Sequence, residues 1–257
     1  MDSCLKEFAT YKVLITSGSR SAGIQLATQL LSKAKRLEQF DLVHIICSDL
    51  EYHFSTINVN TTKAKRYTQL ADKYLEMVKA ERMIRKCHSK ILQIISTKSK
   101  LSPNDVAVLA EAQDKTLPLL ALKSGKFNRF IYSIAINNYH SKNDFLKVIE
   151  YCEKALESSP KGHPNAKSLR FTFLSRKIIA LVALEQFDEA KVTAKAAGQL
   201  VPIGKFNLHL NLIRRILICF HSGAYQEAYE LYKAQTQYQC PYSLLAEYWK
   251  IIQGYLY

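Results

Sequence analysis

Glycine and proline are scarce, with eight and six among 257 residues. That argues against an all-β chain, which needs turn residues every few positions. Leu, Ile, Ala, Lys and Glu dominate instead, so the composition leans helical. Acidic residues are also few: 22 Asp and Glu face 36 Lys and Arg, a formal charge of +14. Such an excess suits an anionic partner, whether nucleic acid, an acidic peptide or a membrane surface. Lysine-rich outer faces that merely keep a helical protein in solution produce the same excess, and the bases here are spread along the chain.

Long apolar runs are missing. IIALVAL at 178–184 is among the longest and is too short to span a bilayer. The first residues lack a basic segment followed by an apolar core of signal-peptide length, so the cytoplasm is the expected location. The six cysteines (4, 47, 87, 152, 219, 240) contain no CxxC and read as reduced thiols of an intracellular protein. His44, Cys47, Cys87 and His88 can be drawn as four zinc ligands, but their spacing matches no known finger. HExxH, GxSxG and a P-loop lysine are all lacking, so no enzyme and no cofactor are expected.

What is present is a repeat. Between residues 130 and 241 an apolar helix, a short turn and a second amphipathic helix ending near a proline recur three times. The second-helix pieces are NDFLKVIEYCEKALESSP, EQFDEAKVTAKAAGQLVP and GAYQEAYELYKAQTQYQCP. Their turn aromatics Phe145, Phe187 and Tyr225 lie 42 and 38 residues apart. Two helices per unit at that period predict an all-α chain built as an array of antiparallel helix pairs.

Residues 1–60 read in two ways. YKVLIT at 11–16, SGSRSAG and an amphipathic stretch, followed by VHIICSDLE at 43–51, resemble the opening βαβ unit of short-chain dehydrogenases. That resemblance implies a dinucleotide cofactor. Ser17 stands where that family has its first glycine, and the residues from 61 onward offer no further strand with period-2 alternation. The favoured alternative makes Gly18 and Gly23 bracket a helix-to-helix turn, with Ser21 capping the next helix. The tetrapeptide EQFD occurs at both 38–41 and 185–188, which supports an array beginning near residue 1.

From Asn60 a helical pattern of over 30 residues follows, as one helix or two with a kink, capped by Thr61 or Thr62. Its polar face carries Lys63, Lys65, Arg66, Lys73, Lys79, Arg82, Arg85, Lys86 and Lys90. A solvated surface is the default reading of such a run, and it is also the best candidate for contacts to nucleic-acid phosphates. LSPNDVAVLAEAQDKTLPLLALKSG then opens at Pro103, is interrupted at Pro118 and closes on Gly125 as a C-cap. The expected organisation is an N-terminal helical-hairpin region, 1–125, and the repeats proper, 126–257.

The units at 130–160, 172–202 and 210–241 resemble tetratricopeptide repeats. The positions that match are Tyr132, Tyr139, Val148, Ala155 and Pro160 in the first, and Leu174, Leu181, Ala190, Ala197 and Pro202 in the second. The third gives Leu212, Cys219, Ala228, Gln235 and, displaced by one, Pro241. Departures are Ile136, Ile178 and Ile216 where the family has glycine or alanine, and Lys177 and Arg215 where it has a buried leucine. The resemblance implies a tetratricopeptide-like α-α superhelix, a non-catalytic scaffold or adaptor binding a protein or peptide on its concave first-helix face. It also implies that Arg176–Lys177 and Arg214–Arg215, 38 residues apart, clamp an acidic group, with Asn137 adding an amide. A basic helical-repeat protein that binds nucleic acid is the alternative. The apolar tail SLLAEYWKIIQGYLY would leave Trp249, Tyr255 and Tyr257 uncovered, so continuation of the array or self-association through this helix is expected.

Overall fold

A computed structural model describes residues 2–98, 100–158, 166–201, 206–236, 249–252 and 254. Among these residues the regular structure is helical and there is no strand. The chain divides into two compact units, 1–86 and 87–257. The division falls inside one helix. Ile91 near that helix's end packs with Leu109, Ala112 and Ile134, which ties it to the helices that follow.

The first unit begins with α1 (Asp2–Thr16), α2 (Arg20–Arg36) and α3 (Phe40–Tyr52), then a π-helical turn at His53–Ile57. It ends with the first part of α4 (Thr61–Thr97). The dinucleotide reading fails here, because YKVLIT lies in α1 and VHIICSDLE in α3. In the second of these, Leu42, Val43, Ile46, Cys47 and Leu50 are buried. That is one stripe of a 3.6-residue period, which a β-branched run satisfies as readily as alternation does. Gly18, at φ 88°, makes the turn. Gly23 admits Ile15, whose Cδ1 would lie 2.9 Å from an added Cβ. Ser21 is not the cap, since α2 begins one residue earlier with Ser19 at the cap position.

Tyr11, Ala27, Leu30, Ala34, Val43, Ile46 and Leu50 form the buried centre of this unit. Burying about seven such side chains supplies on the order of 10 kcal/mol of gross apolar stabilisation. Tyr11 Oη donates to Asp49 Oδ2 at 2.9 Å, and Lys12 Nζ donates to the same oxygen at 2.5 Å. Burial first, then the Asp49 charge, push the Tyr11 hydroxyl well above its usual range. The 37-residue α4 is one helix. Its start is capped by Asn60, whose Oδ1 accepts from the Lys63 N–H at 3.0 Å, and not by Thr61 or Thr62.

The second unit holds the end of α4, then α5 (Pro103–Thr116) and a 3₁₀ turn at Leu117–Leu122. Three hairpins follow: α6 (Gly125–Ser141) with α7 (Phe145–Glu157), α8 (Ala166–Ala183) with α9 (Phe187–Gly198), and α10 (Phe206–His221) with α11 (Tyr225–Thr236). Ser102 and Asp105 form a reciprocal capping box around Pro103 at the start of α5. Hydrogen bonds from Lys98 and then Ser102 hold the Asp105 carboxyl down to about 2. Pro118 ends α5, and Lys123 at φ 51° turns the chain. Gly125 opens α6 instead of closing α5, because the Ser124 hydroxyl accepts from the Phe127 N–H at 3.2 Å.

Four helix pairs share one turn. Gln39 N donates to Ala34 O, Asp144 N to Tyr139 O, Gln186 N to Leu181 O and Ala224 N to Cys219 O, at 2.8–3.0 Å. The residue before each donor is left-handed: Glu38, Asn143, Glu185 and Gly223, with φ between 50° and 73°. This six-to-one bond with a left-handed residue is the Schellman ending of a helix. The next residue, Phe40, Phe145, Phe187 or Tyr225, starts the following helix. Each hairpin helix packs mainly on its neighbours in the chain, and α6 with α8 and α8 with α10 also touch. The small positions do the close packing: Val148, Ala155, Ala190, Ala197 and Ala228 are 0–1% exposed. Pro160, Pro202, Pro241, Tyr255, Tyr257 and the side chain of Gln235 lie outside the described residues.

Candidate partner-binding face

The first helices of the hairpins carry the basic residues singled out in the sequence, but adjacent residues of a helix point about 100° apart. The structure accordingly separates each pair. Lys177 is almost buried, 12% exposed, and its Nζ sits 2.8 Å from both Glu153 on α7 and Glu189 on α9. Burial alone would lower this ammonium. The two carboxylates outweigh it and hold the group charged, above its usual range. Lys177 is therefore a strut across α7, α8 and α9. Arg215 likewise turns toward α9 and α11, into a cavity that it lines with Lys191, Lys195 and Glu227.

Arg176 and Arg214 occupy another face. Arg176 is close enough to His140 on α6, and to Arg214 on α10, for its charge to lower the proton affinity of both. Burial is the larger cause in each case, and it pushes the Arg214 guanidinium down to about 10. Neither arginine has a carboxylate within ion-pair distance among the described residues, and Arg214 Nη1 is buried without a hydrogen-bond partner. Two half-buried like charges with no counter-ion are costly unless an anion arrives. Asn137, 3% exposed, leaves its Nδ2 unpartnered on α6, one turn before His140. The neighbouring Asn138 is engaged instead: its Nδ2 donates to Gln113 Oε1 at 2.6 Å, and Gln113 Nε2 donates to Tyr139 Oη at 3.1 Å.

The basic face of α4 is exposed throughout. Lys63, Lys65, Arg66, Lys73, Lys79, Arg82, Arg85 and Lys86 stand on the part belonging to the first unit. Lys90 stands on the part belonging to the second. Some of this charge is spoken for: Lys79 pairs with Glu76 and Arg85 with Glu81, each at 2.7 Å, while Lys63 lies 4.9 Å from the Phe54 ring centroid. Lys65 and Arg66 flank a shallow depression with Thr61, Thr62 and Gln69.

The cysteines are free thiols where described, and burial raises Cys47 to about 11 and Cys152 to about 12, far from the reactive range. No group of three His, Cys, Asp or Glu that could hold a metal occurs among the described residues. His44 Nδ1 is bonded to the Ala71 carbonyl at 3.0 Å, and His88 stacks edge-on against Phe130. No described helix is long and apolar enough to cross a membrane. Trp249, expected to stand uncovered, packs beside Tyr232 against the Ile213, Ile216 and Ala228 cluster.

Sequence reasoning missed His140, Lys191 and Lys195. His140 was legible as the residue one turn beyond Asn137, while the lysines become visible only once α9 and α10 are paired. No protein-family model matches the chain, and no curated protein matches it.

Proposed function

We propose that the three hairpins of the second unit form a divergent tetratricopeptide-like array coiling as an α-α superhelix. In this reading the chain is a non-catalytic, cytoplasmic scaffold or adaptor. Its first-helix face, with Asn137, His140, Arg176 and Arg214, receives an acidic segment of a protein or peptide. The observation that carries this is the Arg176–Arg214 pair, two half-buried like charges with no acid in ion-pair distance among the described residues. A carboxylate docked there would gain charge-assisted, bidentate hydrogen bonds and relieve the repulsion at once. Lys177 and Arg215 are left out of the contact set, since both face the second helices.

The test is fluorescence anisotropy with a labelled glutamate-rich peptide, using the wild-type chain and the Arg176→Glu, Arg214→Glu double variant. Saturable binding that the double variant loses, while its circular dichroism stays helical, supports the reading. Equal binding by both chains removes the pair from the site.

The exposed cations of α4 favour a second reading, a nucleic-acid-binding helical protein. It requires binding of labelled single- or double-stranded nucleic acid that survives near-physiological salt with a slope of several released counter-ions, and that falls when Lys65 and Arg66 are replaced by glutamine. Binding that vanishes by physiological salt would leave the charge as a surface property.

A further inference from the structure

A second charged feature lies on the other side of α10. Three helices each offer residues four apart to one cavity of about 290 Å³: Lys191 and Lys195 from α9, Arg215 and Cys219 from α10, Glu227 and Leu231 from α11. Residues four apart share a helix face, so the convergence follows from the way α9, α10 and α11 pack. Among the described lining residues three cations face a single acid, an excess of two positive charges. The acid is already committed, because Glu227 Oε2 lies 2.7 Å from Lys191 Nζ. Arg215 and Lys195 have no hydrogen bond or ion pair among the described residues. A volume just below the usual range for ligand pockets suits a small molecule.

We propose that this cavity binds a small phosphate dianion, either inorganic phosphate or the phosphate ester of a small molecule. The planar Arg215 guanidinium would take two phosphate oxygens and Lys195 a third. Lys191, held by Glu227, completes the positive wall. A dianion neutralises the excess of two charges, which a single carboxylate would only halve. The Val192 and Leu231 side chains in the lining offer apolar surface to the organic part of an ester. The site is distinct from the Arg176–Arg214 face and does not depend on what binds there.

Isothermal titration calorimetry of the full chain tests this with inorganic phosphate and glycerol phosphate at constant ionic strength. One saturable site per chain is expected, weakened about tenfold or more by Lys195→Gln and abolished by Arg215→Gln. Lys195 is solvent-exposed, so its replacement leaves the packing intact and decides the matter if the Arg215 variant is misfolded by circular dichroism. Tighter binding of the ester identifies an organic phosphate as the ligand, and equal or tighter binding of the free anion identifies phosphate itself. No saturable binding by the wild-type chain, or undiminished affinity in Lys195→Gln, overturns the proposal. So does loss of binding in an Arg176→Gln, Arg214→Gln chain, which would place the anion on the other face.

Discussion

Gly198 at the end of α9 lies directly against Asn211 of α10: a Cβ at 198 would come within 2.9 Å of Asn211 Nδ2. That nitrogen donates to the Ala194 carbonyl at 3.0 Å, in a buried bond between the two helices. The glycine is there for the room it leaves and not for its backbone freedom.

Gly198→Ala is therefore expected to lower stability by about 1–2 kcal/mol, because the displaced amide loses its partner. Alanine's better helix propensity, worth up to about 1 kcal/mol, offsets part of this loss. In Asn211→Ala the obstacle is gone, so adding Gly198→Ala should then be neutral or stabilising. Urea denaturation of the four chains of this double-mutant cycle measures the coupling. Additive effects would show that the two residues do not constrain one another.

Glu185 closes α8 in the left-handed region, φ 59°, at the position where helices favour glycine. Glu185→Gly should raise stability by roughly 0.5–1 kcal/mol, a Tm gain of a few degrees by calorimetry. A lower Tm would mean that the side chain contributes more than its backbone costs.

Lys177→Ala removes the ammonium shared by Glu153 and Glu189 and should cost about 1–3 kcal/mol. Arg214→Met should do the opposite and raise Tm, because it removes a half-buried charge that no acid among the described residues compensates. Thermal melts of the two variants distinguish a structural cation from one retained for a ligand. Destabilisation by Arg214→Met would place Arg214 with Lys177 among the structural residues.

His88, His140 and His209 are all depressed below the usual histidine range, chiefly by burial, with Arg129 adding to His88 and Arg176 to His140. The unfolded chain therefore binds protons that the folded chain resists, and stability falls as pH drops from about 7 through the unfolded value near 6.5. The decline should be apparent between about pH 7 and 5, before the carboxylates titrate. His140→Asn should flatten part of this dependence in denaturation curves recorded at several pH values. An unchanged profile would remove His140 from the coupling.

Much of the architecture was legible because it rests on local chemistry. The two EQFD tetrapeptides marked helix-to-helix turns; that each closes on a left-handed residue, as KND and SGA also do, came from the structure. The ambiguity at 11–51 arose because YKVLIT and VHIICS are β-branched runs that fit either period. Packing of Val43, Ile46 and Leu50 in one core resolved it as helix. Cap positions were less legible. Ser19 and Ser21, or Asn60 and Thr61, offer similar chemistry, and the choice depends on the first residue whose carbonyl enters the helix.

Composition, periodicity and turn residues determined by themselves that the chain is helical from about residue 61 onward, where the three later hairpins turn and which small residues let their helices approach. These are effects of neighbouring residues and of the helical period. Only the tertiary structure decided that Lys177 meets two carboxylates while Arg176 meets none among the described residues, and that Arg215 joins the lysines of α9. A side chain's charge is written in the sequence. Its counter-ion comes from whichever helix packs against it, and that is fixed by the rotation of each helix about its own axis.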